Sequence, residues 1–137
     1  MVKTVKERLR WLQLFMPLYE KVVPLIRGIT DLKSLESGEL PVSPHALAES
    51  PLTLKPVLES IRKIPKPKEK ELLSIKREFE IVLSSCIKAG ESATNYIKLD
   101  GQGMKGQIQL STIINSLVLA NEYMESVSKK LAPLLEG

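Results

Sequence analysis

Residues 93–113 read ATNYIKLDGQGMKGQIQLSTI, and the way the chain passes through DGQGMKG at 100–106 decides the fold. Upstream of that stretch, apolar residues recur at alternating steps of three and four: Leu72, Ile75, Phe79, Val82, Cys86, Ala89, Ala93 and Tyr96. Downstream the same rhythm returns at Leu110, Ile113, Leu117, Ala120, Met124, Val127, Leu131 and Leu134. Such steps keep one stripe on one helix face, so the spacing predicts two long amphipathic helices over residues 67–99 and 107–135. Paired antiparallel, the stripes match Leu72 with Leu134 and Tyr96 with Leu110, symmetric about Gly103 in the glycine-rich stretch. Glycine accepts the left-handed conformations that end a helix and turn the chain, so 100–106 reads as the bend of a helical hairpin. Ala89 and Ala93 then face Leu117 and Ile113, small against large. At 1.5 Å per residue the first helix would be roughly 50 Å long.

Two other readings of the bend compete with this one. Residues 97–100 and 107–111 alternate apolar and polar, which would suit a β-hairpin. Gly101, Gly103 and Gly106 also spell GxGxxG, but a dinucleotide cradle needs a preceding buried strand, and here the glycines follow a helical pattern. Gln107 and Ile108 after Gly106 exclude a Walker loop.

A lone hairpin leaves Leu73, Leu83, Ile87, Ile97, Ile114 and Val118 beside the stripes uncovered. The N-terminal segment, residues 1–38, is the natural cover. Val5, Leu9, Leu12, Met16, Tyr19, Val23 and Ile26 form its central line, widened by Trp11, Phe15, Leu18, Val22 and Leu25. Pro17 and Pro24 lie inside that pattern and predict a kink or a break. The small cluster of Cys86, Ala89, Gly90 and Ala93, opposite Ala120, would leave a groove for Trp11 or Phe15.

The remaining segments follow from their punctuation. Residues 30–37 with Gly38 read as one or two helical turns with an N-cap and a terminating glycine. Residues 39–53 hold Pro41, Pro44 and Pro51 and read as a proline- and serine-rich connection, in which Ser43 and Pro44 could start a short helix through Glu49. Thr53 would cap a short helix over 54–64, which Pro65 and Pro67 end. The expected fold is all-α: one domain over residues 1–137, an up-and-down helical bundle of three to four main helices with a long C-terminal antiparallel helical hairpin.

The 137 residues are 43% apolar and 26% charged, the range of a globular domain too small for a large α/β enzyme. No apolar run approaches the 18 or so residues of a membrane span. The N-terminal apolar segment is interrupted by Gln13 and Pro17 and lacks a cleavage pattern, so the chain reads as mature and cytoplasmic. Cys86 is the only cysteine, which suits a reducing compartment.

Chemistry-bearing residues are scarce. One cysteine and one histidine cannot assemble a zinc or di-iron site, and no cofactor cradle remains once the glycine stretch is a bend. His45 stands near Ser43 and Glu49, but proximity in sequence does not make a triad. The expected role is therefore a non-catalytic protein-interaction or assembly module, paired with another copy of itself or with another helical protein. The alternative is a nucleic-acid-binding accessory subunit. Twenty Lys and Arg against sixteen Asp and Glu leave a net charge of +4, concentrated in two clusters. These are Lys3, Lys6, Arg8 and Arg10, and Arg62, Lys63, Lys66, Lys68 and Lys70. They must meet on one face for that alternative to work.

Overall fold

A computed structural model describes the backbone of residues 2–100 and 103–136, with side chains from residue 5 onward within those ranges. Among the described residues six helices follow one another: α1 (Val2–Ile29), α2 (Leu32–Glu36), α3 (Pro44–Glu49), α4 (Pro51–Lys63), α5 (Lys70–Lys98) and α6 (Gly103–Glu136). No strand occurs among the described residues. The β-hairpin reading of the bend falls with that, since 107–111 lies inside α6. Gly101 and Gln102 lie outside the described residues. On either side of them Asp100 (φ +55°) and Gly103 (φ +72°) adopt the left-handed conformation that reverses the chain.

The hairpin register is the predicted one. From Leu72 to Ala93 every α5 stripe residue is buried, as is every α6 stripe residue from Ile113 to Leu131. Polar side chains lock the same register at one end. Ser126 donates to the Glu78 carboxylate at 2.9 Å, and the Lys130 ammonium donates to Glu78 and to Ser74 Oγ, each at 2.7 Å.

Around the hairpin the other long helices complete a ring. Lys55 faces Glu91 and Arg62 faces Glu80, so α4 runs antiparallel to α5. Phe15 meets Phe79 edge-on at 5.4 Å while Arg8 holds Glu69, so α1 runs parallel to α5. Arg27 faces Glu125, and the Asn121 amide donates to the Thr30 carbonyl at 3.0 Å, which sets α1 antiparallel to α6. With α1 also touching α4, the order α1, α4, α5, α6 goes up, down, up, down with each neighbour antiparallel. The short α2 rests on α6 and α3 on α5.

Boundaries depart from the sequence reading at several places. Residues 39–53 are not merely a connection. Ser43 Oγ caps α3 by accepting from Ala46 N–H at 3.2 Å, as expected, and α4 then starts at Pro51 rather than after Thr53. Ser50 is too close to α3 to cap α4, because its hydroxyl donates back to the Leu47 carbonyl at 2.7 Å. The hairpin helices begin at Lys70 instead of 67 and at Gly103 instead of 107.

α1 runs as one helix through Pro17 and Pro24, so of the expected kink or break the break does not occur. Its core line is also shifted: Leu12 and Ile26 of the expected line are buried, but the buried row runs through Trp11, Phe15, Val22, Ile26 and Ile29, and Val5 and Leu9 are each 54% exposed. Both effects have one cause. At about 100° per residue, the new line stands opposite Pro17 and Pro24, whose missing N–H groups free the carbonyls of Gln13 and Glu20. Those residues are exposed, so water satisfies the carbonyls. Pro56 in α4 and Pro133 in α6 are exposed in the same way, opposite the buried faces of their helices.

The groove left by small residues on α5 is filled, but not by Trp11 or Phe15. A Cβ on Gly90 would stand 2.6 Å from the Pro51 ring and 2.7 Å from the Leu47 carbonyl, so the α3–α4 corner occupies it. Phe15 packs lower on α5, against Phe79.

Candidate docking cleft

At the end of the bundle where α1 starts and α4 hands over to α5, the chain leaves a cleft of about 450 Å³. One wall is the first half of α1. The other is the linker Pro65-Lys66-Pro67-Lys68-Glu69, which is stiff for a local reason. Proline fixes its own φ and pushes the preceding residue out of the helical region, so two prolines one residue apart hold the strand of linker extended. Ile64 accordingly ends α4 with φ −63° and ψ 131°, and Glu69 precedes α5 with φ −70° and ψ 127°.

Glu69 occupies the N-cap position of α5 but does not cap it with its side chain. Its carboxylate accepts from one edge of the Arg8 guanidinium, with Nε donating to Oε2 at 3.2 Å and a terminal nitrogen donating to Oε1. This two-point clamp fastens linker to helix. The hydrogen bond to Glu69, and then its charge, hold the Arg8 guanidinium above its ordinary pKa.

The cleft floor is apolar: Trp11, Leu14, Pro65, Pro67 and Leu72. Trp11 is 5% exposed and stacks on Phe15 with ring centroids 4.7 Å apart and planes 15° from parallel. Its indole Nε1–H is buried and has no hydrogen-bond partner. An indole nitrogen can only donate, so this group lacks an acceptor that a buried donor normally finds. Around the floor stand Arg10, Lys66 and Lys68, with Glu7 as the one carboxylate beyond the clamp.

The two basic clusters thus meet in part. Arg8, Arg10, Lys66 and Lys68 converge on the cleft, whereas Lys6, Lys63 and Lys70 are exposed outside it. Arg62 turns away to Glu59 at 3.5 Å and Glu80 at 3.8 Å. The side chain of Lys3 lies outside the described residues. Sequence reasoning missed Trp11 as a site residue by reading it as covering apolar surface, gave Leu14 no place in that stripe, and treated Pro65 and Pro67 only as helix breakers. The alternation Pro-Lys-Pro-Lys was the available signal, because it presents cations from a backbone that cannot fold away.

Other reactive groups are accounted for within the fold. His45 is exposed on α3, where the neighbouring Ser43 hydroxyl is engaged as the cap. Cys86 is fully buried and burial pushes its thiol up to about 12, far from the range of a thiolate nucleophile. Burial likewise raises the Tyr19 hydroxyl, against hydrogen bonds to Ser128 and Arg27 that pull it down. Among the described residues no three His, Cys, Asp or Glu side chains group to hold a metal ion, and no helix is long and apolar enough to cross a membrane. No protein-family model, curated protein or solved structure matches the chain.

Proposed function

We propose that this chain is a non-catalytic interaction module and that the cleft between α1 and the 64–69 linker is where another protein docks. The observation that carries the reading is the cleft's construction. An apolar floor and a cationic rim come from two segments far apart in sequence, fastened together by Arg8 and Glu69. An apolar floor ringed by charged side chains is the general form of a protein-docking patch, an apolar centre with a polar rim. Its single free cysteine fits a reducing compartment, and we read the module as cytoplasmic on that basis.

Selection of displayed random peptides on the folded chain tests this. Leu14 is 49% exposed on the floor, so Leu14→Asp alters the cleft without touching the core. Enriched peptides should bind the unmodified chain and lose about tenfold or more in affinity on the variant. Peptides that bind both equally refute the cleft as the docking site. Val5 and Leu9, exposed on the flank of α1, keep a second copy of the chain among the possible partners. Light scattering that reports a monomer at every concentration removes it.

The nucleic-acid alternative is supported by one observation, the meeting of Arg8 and Arg10 with Lys66 and Lys68. Against it, Arg8 is engaged by Glu69, and the Trp11 ring is stacked on Phe15 rather than offered to a base. A mobility shift that weakens steeply with salt would favour it, and none at low salt disposes of it.

A further inference from the structure

Resting on the docking reading above, we infer that the occupant of the cleft is an acidic, apolar peptide segment of a partner protein. It places a large apolar side chain on the floor and carboxylates toward Arg10, Lys66 and Lys68.

Two features of the cleft select that chemistry. The first is charge. Arg8 and Glu69 neutralise each other through their paired hydrogen bonds, which leaves Arg10, Lys66 and Lys68 against Glu7 alone. A rim with that surplus attracts anionic segments and disfavours basic ones. The second is the floor. Leu14 remains 49% exposed beside Trp11 and Leu72, and a purely ionic ligand would leave that apolar surface wet. A peptide brings both complements on one short chain: an apolar side chain and a carboxylate. Nucleic acid brings the charge, but its bases find no free aromatic face here.

Trp11 is the only tryptophan in the chain, so its indole N–H gives a single, unambiguous NMR cross-peak. The ¹⁵N-labelled protein is titrated with a pool of short peptides in which leucine and phenylalanine alternate with aspartate and glutamate. A matched pool carries asparagine and glutamine instead. With the acidic pool the indole cross-peak should move and saturate, because Trp11 lines the cleft, and binding should weaken as salt is raised. The neutral pool should bind at least tenfold more weakly. Replacing the three exposed rim cations together (Arg10→Gln, Lys66→Gln, Lys68→Gln) should erase most of the preference for the acidic pool. Equal binding of the two pools, a stationary indole peak, or a shift produced by single-stranded DNA and not by the acidic pool each overturns the inference. Displayed peptides that bind the cleft yet are neutral or basic would overturn it while leaving the docking role intact. If no displayed peptide binds the cleft, the docking role itself fails.

Discussion

Gly90 and Gly28 are both helical glycines, and their surroundings give opposite expectations for the same substitution. Alanine is favoured over glycine in a helix by about 1 kcal/mol. Nothing lies within 4 Å of a Cβ on Gly28, so Gly28→Ala should raise stability by up to that amount. At Gly90 the added carbon meets the Pro51 ring at 2.6 Å and the Leu47 carbonyl at 2.7 Å, and a backbone carbonyl cannot rotate out of the way. Overpacking of this kind costs about 1–3 kcal/mol and outweighs the propensity gain. Gly90→Ala should therefore lower the denaturation midpoint, and urea unfolding of both variants measures the two signs together. Cys86 carries a pH signature of its own. Its thiol ionises near 9 when free and only at about 12 when buried, so above pH 9 the unfolded chain releases a proton that the folded chain retains. Folding stability then falls as pH rises from about 9 toward 12, by as much as about 1.4 kcal/mol per pH unit from this group. Cys86→Ala should have a shallower loss over that window, read as the difference between the two urea-unfolding series.

At the scale of the helix, α5 and α6 were legible because each offers one apolar line of strict spacing, and the apolar residues beside it are too scattered to form a competing line. α1 was not, because apolar residues fill two adjacent lines, and periodicity alone cannot choose between them. The choice was written instead in Pro17 and Pro24. Seven residues apart, they share a face, and a face that must leave two carbonyls to water cannot be the buried one. Read as phase markers rather than as breakers, they point to Trp11, Phe15, Val22 and Ile26 as the core line. The difference is measurable. Leu9 lay on the line expected from spacing but is 54% exposed, so Leu9→Gln should change stability by no more than about 0.5 kcal/mol. Phe15 is fully buried between Trp11 and Phe79, and Phe15→Ala should cost about 3–5 kcal/mol. Thermal denaturation of the pair distinguishes the two lines. The α3–α4 corner was half legible: Ser43-Pro44 signalled a helix start, but nothing local shows that Ser50 follows α3 so closely that Pro51 begins the next helix.

For the molecule as a whole, the ring of four helices is unequal in how its members are held. α5 packs on α4, on α6 and on the short α3, whereas α1 lies over the bundle through one face and carries two prolines that each remove a helical hydrogen bond. The polar contacts that fasten α1 are concentrated at its two ends. Arg8 clamps Glu69 at one, and at the other the Thr30 carbonyl accepts from Asn121 while Arg27 faces Glu125 at 3.8 Å with both partners half exposed. The cleft sits on the first of these fastenings, which is also why sequence could not show it. Arg8 and Glu69 are 61 residues apart, and only the ring brings them together. Such a division of contacts predicts a sub-global opening in which α1 lifts while the α5–α6 hairpin stays closed. In native-state hydrogen exchange, amides in the middle of α5 and α6 should exchange only on global unfolding. Those of α1 should exchange at a free energy roughly 1–2 kcal/mol lower. A ligand seated in the cleft bridges α1 to the 64–69 linker and binds only the closed form, so it should slow exchange in α1 without changing the gap between α5 and α6. Uniform protection across all four long helices would show instead that the ring opens as one unit, and that the clamp contributes nothing separable to holding α1.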